Sequence, residues 1–287
     1  MVIDGKKIAD EALGGLKKEV SEKESKLRLA AILVGDDPEF KKFVELKGKV
    51  AENIGVSFEM YQFSENIAND DLIEKVKEIS EKSDGALIEL PLPKHINTQA
   101  VLDAIPVEKD VDVLSTKAQA VFHGPHLEAK LPSGESQLGS LASKWVLPPA
   151  VEALKIVLEK YGINPKGKKA AVFGQGILVG EPVSSWLEQQ GAEVYRIRST
   201  TEKPEELSRK ADIIVSGVGK PDLVRGDMVK SGVVVIDFGY GKKDNKMVGD
   251  VDFGSVAPKA SLITSVPGGM GPILIAAVLK NLVKLNE

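Results

Sequence analysis

The stretch AAVFGQGILVGEP, residues 170–182, frames the reading of the whole chain. An apolar run of strand length stops at Gly174, and glycines follow at Gly176 and Gly180. A strand that ends in a glycine-rich turn and opens a helix is how dinucleotide-binding units begin. The common fingerprint puts its third glycine three residues after the second. Here it comes four after, with Pro182 close behind. The stretch is either a cofactor loop of another kind or a glycine-rich corner.

Outward from this point, short apolar runs alternate with amphipathic stretches, the pattern of βα units on a parallel sheet. In the second half, strands are expected at 169–173, 193–197, 212–216, 233–237 and 261–263, with helices at 149–161, 181–190, 204–209 and 271–285. In the first half, strands are expected at 29–34, 56–63 and 85–90, with helices at 6–26, 38–54, 70–82 and 98–104. Residues 115–144 lose periodicity and fill with Gly, Ser, Pro and His, so an irregular connection is expected there. The predicted fold class is two-domain α/β. A three-layer domain over 1–145 joins a Rossmann-like domain with a mainly parallel sheet over 146–270, and a terminal helix (271–287) packs back onto the first domain. Ligands of such sheets bind beyond the carboxyl ends of the strands.

Composition narrows the function. The 287 residues suit two modest domains. A net charge of -4 argues against a nucleic-acid binder. The absence of cysteine removes disulfides, thiolate metal sites and cysteine nucleophiles. No apolar run approaches the ~20 residues of a membrane span, and no apolar leader opens the chain, so a cytoplasmic protein is expected.

One lysine breaks its helical pattern. In PEFKKFVELKGKVAENIG, from residue 38, a 100° step gathers Phe40, Phe43, Val44, Val50, Ala51 and Ile54 on one face. Lys41, Lys42, Glu45, Lys49, Glu52 and Asn53 take the other. Lys47 falls on the apolar face, one turn from Phe43 and one from Ala51. Either its stem packs while the ammonium reaches water, or the face borders a site and the amine moves protons or acts on a carbonyl-type carbon. Two further strand ends offer carboxylates. Glu89 interrupts the apolar run GALIELPLP, and Asp110 and Asp112 share one side of EKDVDVLS if that segment is extended. Taken singly, such carboxylates are more often caps or surface charges than site residues.

Together these segments resemble the bifunctional methylenetetrahydrofolate dehydrogenase/cyclohydrolase family, of which the chain looks like a divergent member. The similarity runs through VGDDPEFKKFVELK, GALIELPLPKHIN, PVEKDVD, VFGQGILVGEP, GKPDLVRGDMVKSGVVVIDFG, VGDVDF and TSVPGGMGP, nearly the whole chain and in the family's order. It implies oxidation of methylenetetrahydrofolate by a nicotinamide cofactor, then ring-opening hydrolysis to formyltetrahydrofolate. It implies Lys47, Glu89 and Asp112 as catalytic residues. Phe43, Lys47, Asp112, Pro267, Gly268 and Gly269 would line the substrate, with Asp112 on the polar edge of the pterin. Gly174, Gln175, Gly176, Ile177, Gly180, Arg198, Ser199, Val218 and Gly219 would hold the cofactor, and Pro182 near the helix start suits proline's fixed φ. The resemblance also implies a homodimer paired through the cofactor domains.

The departures from the family carry chemistry of their own. The family's tyrosine one turn before the lysine is Phe43, its strand-end glutamine is Glu89, and its helix serine is Phe40. The glycine after the aspartate is Val113, and a Pro-Cys-Thr-Pro segment has become VLPP, in which Pro149 still matches. The Arg-Ser pair of the cofactor loop is Gln175 and Gly176. A carboxylate near Lys47 stabilises its ammonium, which weakens it as a base and should impair water activation more than hydride transfer. The expectation is a dehydrogenase with reduced cyclohydrolase activity. Two alternatives stay open: a catalytically impaired folate- or dinucleotide-binding homologue, and an NAD(P)-dependent oxidoreductase on another small substrate. Arg196 and Arg198 at the end of the next strand, with no acid there, favour NADP over NAD. His123 and His126 are three apart, but with only His95 besides they give no ligand set, and no metal is expected.

Overall fold

Strand runs such as RLAAILV and VVID are apolar on both faces, the composition of strands covered on both sides in a parallel sheet. The computed structural model describes residues 1–124, 146–244 and 246–287. In it every ladder of the two larger sheets is parallel. The chain divides into two compact α/β units.

The first unit comprises Ala12–Pro149 and Ala277–Glu287. Its sheet holds β2 (Arg28–Val34), β3 (Ser57–Phe63) and β4 (Gly85–Ile88) in the order β3-β2-β4. Helix α2 (Pro38–Asn53) starts where Asp37 accepts the Glu39 amide at 2.8 Å and Pro38 takes the first position. Gly48 brings this helix onto β3, because a methyl there would stand 2.5 Å from the Phe58 ring. Helices α3 (Asn69–Lys82) and α4 (Thr98–Leu102) complete a core that includes Ile32, Leu72, Val76, Ile88, Val101 and Leu102. Each such side chain contributes roughly 1.5–3 kcal/mol by leaving water, so this seam fixes the strand ends that carry the site.

The irregular connection expected from residue 115 is corrected at its start. Helix α5 (Thr116–His123) forms there, begun by the Ser115 hydroxyl on the Ala118 amide and stopped at Gly124, φ 70°. The Gly/Ser/Pro-rich composition hid a serine cap and a glycine stop. The rest of that expectation, with His126, lies outside the described residues.

The second unit comprises Met1–Glu11 and Ala150–Ala276. Its six strands run β1 (Val2–Ile3), β11 (Leu262–Thr264), β8 (Val234–Asp237), β7 (Ile213–Ser216), β5 (Lys169–Phe173) and β6 (Glu193–Ile197) across one sheet. Helices α6 (Pro149–Lys160), α7 (Gly180–Gln189), α8 (Pro204–Ser208) and α9 (Phe253–Val256) lie between strands in sequence. Leaving β1 aside, the order is that of a doubly wound sheet, and the direction of winding reverses between β5 and β7. The N-terminal residues join this unit because Val2 and Ile3 pair with Ile263 and Thr264, a grouping that a boundary at 145 does not contain. A two-stranded hairpin, β9 (Gly241–Lys243) with β10 (Lys246–Val248), has no counterpart in the sequence expectation. Helices α1 (Gly5–Ser21) and α10 (Met270–Leu285) each begin in this unit and end in the first.

Candidate active site

In the first unit, four of the expected residues meet at the carboxyl ends of the strands. Lys47 projects from the middle of α2, and Glu89 directly follows β4, held by its amide on the Ile32 carbonyl at 2.9 Å. The Lys47 ammonium donates to Glu89 Oε2 at 2.7 Å, with the two side chains only 11% and 10% exposed. The same nitrogen stands 4.7 Å from the centre of the Phe43 ring, within range of a cation–π contact. Lys47 is therefore not a snorkelling lysine: its charge is enclosed between a carboxylate and an aromatic face.

Asp112 is the third charged member. Burial lifts its carboxyl to about 7; the positive field of Lys47 opposes this, and Asp110 and Glu89 add to it. Asp112 therefore gains and loses its proton around neutrality, chiefly because it is buried. The segment carrying it is not extended, as the alternating pattern had implied. It turns, closing with the Val113 amide on the Asp110 carbonyl at 3.3 Å, and Val113 takes φ 57°. Asp110 and Asp112 consequently part company. Asp110 is buried, and its Oδ2 accepts the Leu114 and Ser115 amides at 2.9 and 2.7 Å, so it braces the turn.

In the second unit, the reversal between β5 and β7 places Gly174 and the 217–219 turn side by side. Gly174 has φ 83°, and a methyl on it would meet Val218 at 2.9 Å. Gly180 is more constrained: its methyl would lie 1.9 Å from the Gly174 carbonyl. The opening stretch thus folds so that the head of α7 touches the strand exit, which a side chain at 180 would prevent. Ile177, Leu178 and Val218 stay 46–49% exposed around this corner, an apolar rim at the sheet's ligand-binding end. The first turn of α7 has little left for an anion, since the Glu181 and Val183 amides bond to Gly176 and Val179 and Pro182 has none.

The two arginines of β6 differ. Arg196 is fully engaged, with Nε and Nη2 on Glu188 at 3.0 and 2.8 Å, Nη1 on Gln175 at 3.2 Å and Nη2 on Ser185 at 3.0 Å. Arg198 is exposed and heads a turn in which its amide donates to Thr201 Oγ1 at 2.9 Å. Ser199 beside it is exposed as well. Pro267, Gly268 and Gly269 sit ahead of α10, where a methyl on Gly269 would lie 2.4 Å from the Ser265 carbonyl.

Three residues of this framework escaped the sequence reading. Asp250 is buried and accepts the Ser216 hydroxyl and the Val218 and Lys220 amides at 2.6–2.7 Å, which holds the 216–220 turn. Asp237, also buried, takes the Gly239 and Val251 amides at 2.7 and 2.9 Å. Gly239 and Gly249 make room for the two carboxylates, and those glycines, within DFG and VGD, were the available signal. Asn281 carried no signal at all. Among the described residues no cluster of three or more potential metal ligands occurs, and no helix is long and apolar enough to cross a membrane.

Comparison with known proteins matches both halves. Residues 3–112 fit the family model described as tetrahydrofolate dehydrogenase/cyclohydrolase, catalytic domain, and residues 148–287 fit its NAD(P)-binding domain. The bifunctional protein FolD of Mycoplasmopsis synoviae is 38% identical over all of this chain and 99% of its own length. That of Moorella thermoacetica is 39% identical over 99% and 97%. The crystal structure of bifunctional FolD methylenetetrahydrofolate dehydrogenase/cyclohydrolase from Campylobacter jejuni superposes with a TM-score of 0.88 at 34% identity, covering 99% of this chain and 98% of that one. The Trypanosoma brucei enzyme complexed with NADP and an inhibitor gives 0.87 at 30%, covering 99% and 96%.

Proposed function

The chain belongs to the tetrahydrofolate dehydrogenase/cyclohydrolase family, and from that premise we propose how its own residues divide the work. The protein is an NADP-dependent methylenetetrahydrofolate dehydrogenase and methenyltetrahydrofolate cyclohydrolase. Bound NADP supplies the hydride acceptor. The glycine corner suits a dinucleotide, because Gly174 takes a left-handed turn and Gly180 packs on it without a side chain. Gly174, Gln175, Gly176, Ile177, Gly180, Val218 and Gly219 are the residues we assign to the cofactor's body, with Arg198 and Ser199 on the 2′-phosphate. Arg196 organises Gln175 and α7 and is left out of that set.

On the folate side, Asp112 faces the polar edge of the pterin and Phe43 packs against the ring system. The carrying observation is the enclosed 2.7 Å pair of Lys47 and Glu89. The Lys47 ammonium, donating to Glu89, is placed to orient and stabilise charge rather than to accept a proton, since an ammonium has no lone pair. Removal of hydride depends on placing two rings, so it tolerates the pairing. The cyclohydrolase half is therefore the weaker one. The test supplies methenyltetrahydrofolate alone and follows loss of its absorbance, beside oxidation of methylenetetrahydrofolate with NADP. Hydrolysis slower than oxidation by about tenfold or more is expected; equal rates would refute the division.

We read the chain as a cytoplasmic homodimer. β6 supports the pairing, as an open edge of the six-stranded sheet that carries Tyr195 and Arg196. Sedimentation at micromolar concentration is expected to give twice the 30.8 kDa chain mass.

A further inference from the structure

Asn281 lies on α10 with 2% of its surface exposed. Its Nδ2 donates to the Val111 carbonyl and to the Leu147 carbonyl, both at 2.8 Å. An amide nitrogen has two hydrogens to give, and both are placed. The side chain thus ties together two segments far apart in sequence, one of which carries Asp112 as its next residue.

That segment is held tightly. It bridges to β4 through Ala86 and Asp110. A methyl on Gly85 would stand 2.7 Å from Val111 and 2.6 Å from Leu282, so the strand, the segment and the helix are in close contact. Beyond Asp112, Asp110 holds the Leu114 and Ser115 amides, and the Gln119 side chain donates to the Val113 carbonyl. The turn is thereby fixed downstream by Asp110 and Gln119, and upstream by Asn281 alone among side-chain donors to Val111 in the described residues. A buried carbonyl deprived of that donor would have to shift to find another.

We propose that Asn281 is a positioning residue for the folate substrate: by fixing the Val111 carbonyl against the segment at Leu147, it sets where the Asp112 carboxyl stands. This rests on the reading of Asp112 as the pterin-binding acid. Serine offers one hydrogen in place of two, and alanine offers none.

The test is a double-mutant cycle on the full-length protein with N281A, D112A and the combination, folding being checked by circular dichroism. KM for methylenetetrahydrofolate is measured at saturating NADP, and the dissociation constant of NADP by calorimetry. N281A is expected to raise KM roughly tenfold, through misplacement of a substrate-holding group, with NADP affinity unchanged and N281S intermediate. In the D112A background N281A is expected to add nothing, because the group it places is gone. If N281A does not fold, N281S carries the same cycle. An equal rise in KM with and without Asp112, or a loss of thermal stability with KM unchanged, would overturn the proposal. A D112A variant with the parent KM would overturn the reading of Asp112 itself, and this proposal with it.

Discussion

At Lys47 two demands meet: the stem packs on the apolar face of α2, and the ammonium is closed off by Glu89 and Phe43. Asp112, with a carboxyl lifted to about 7, changes charge in the working range. If its carboxylate form binds the pterin, kcat/KM for the folate should rise with pH through about 7 and level off above it, while D112N shows no such inflection. A profile unchanged by D112N would reject the assignment. At the nucleotide corner, R198A should weaken 2′,5′-ADP on the order of tenfold, the scale of one charged hydrogen bond, and leave 5′-AMP alone. Equal losses for both would remove Arg198 from phosphate recognition. Lys47 was legible in sequence because a charge on an apolar helical stripe breaks a period of 3.6. The split between Asp110 and Asp112 was not, because alternation applies to an extended segment and this one turns at Val113, φ 57°. Nor could the sequence show that Glu188 takes up Arg196, a pairing made across α7 and β6.

Elements inherit their limits from such residues. The β5–α7 connection closes only because Gly180 lacks a side chain 1.9 Å from the Gly174 carbonyl. G180A is expected to lose about 1–3 kcal/mol of stability and to weaken NADP, measured by chemical denaturation and by titration; unchanged values for both would show that the corner is looser than its geometry. β8 ends in Asp237, whose carboxyl is raised to about 6, chiefly by burial. A carboxyl raised in the folded state gives its stabilisation below the ordinary value near 4 and loses it as pH climbs through 6. The parent should therefore lose on the order of 3 kcal/mol relative to D237N between pH 4 and 7, read from urea midpoints, and parallel curves for the two would contradict this. Long apolar strands and capped helices were readable from their periods. The short pieces were not: β1 has two residues and is specified by its partner β11, the β9–β10 hairpin carries no alternation of apolar side chains, and α5 was masked by composition.

Across the molecule, function follows from where each sheet exposes its carboxyl ends. The first unit gathers Lys47, Glu89 and Asp112 there, and the second brings the Gly174 corner against the Val218 turn where its winding reverses. The alternation of strands and helices made both sheets legible, since a parallel sheet requires those crossovers. Less legible was the membership of the chain's start, because Met1–Glu11 joins the second unit through a pairing of β1 with β11 that no local pattern encodes. The balance between the two activities is the property on which these levels converge, and it turns on the carboxylate at position 89. The direct measurement is the ratio of methenyltetrahydrofolate hydrolysis to methylenetetrahydrofolate oxidation in the parent and in E89Q. If Glu89 holds the lysine as an ion pair, E89Q should raise that ratio by about tenfold or more, with oxidation little changed. A ratio that stays constant, or falls, would contradict the account.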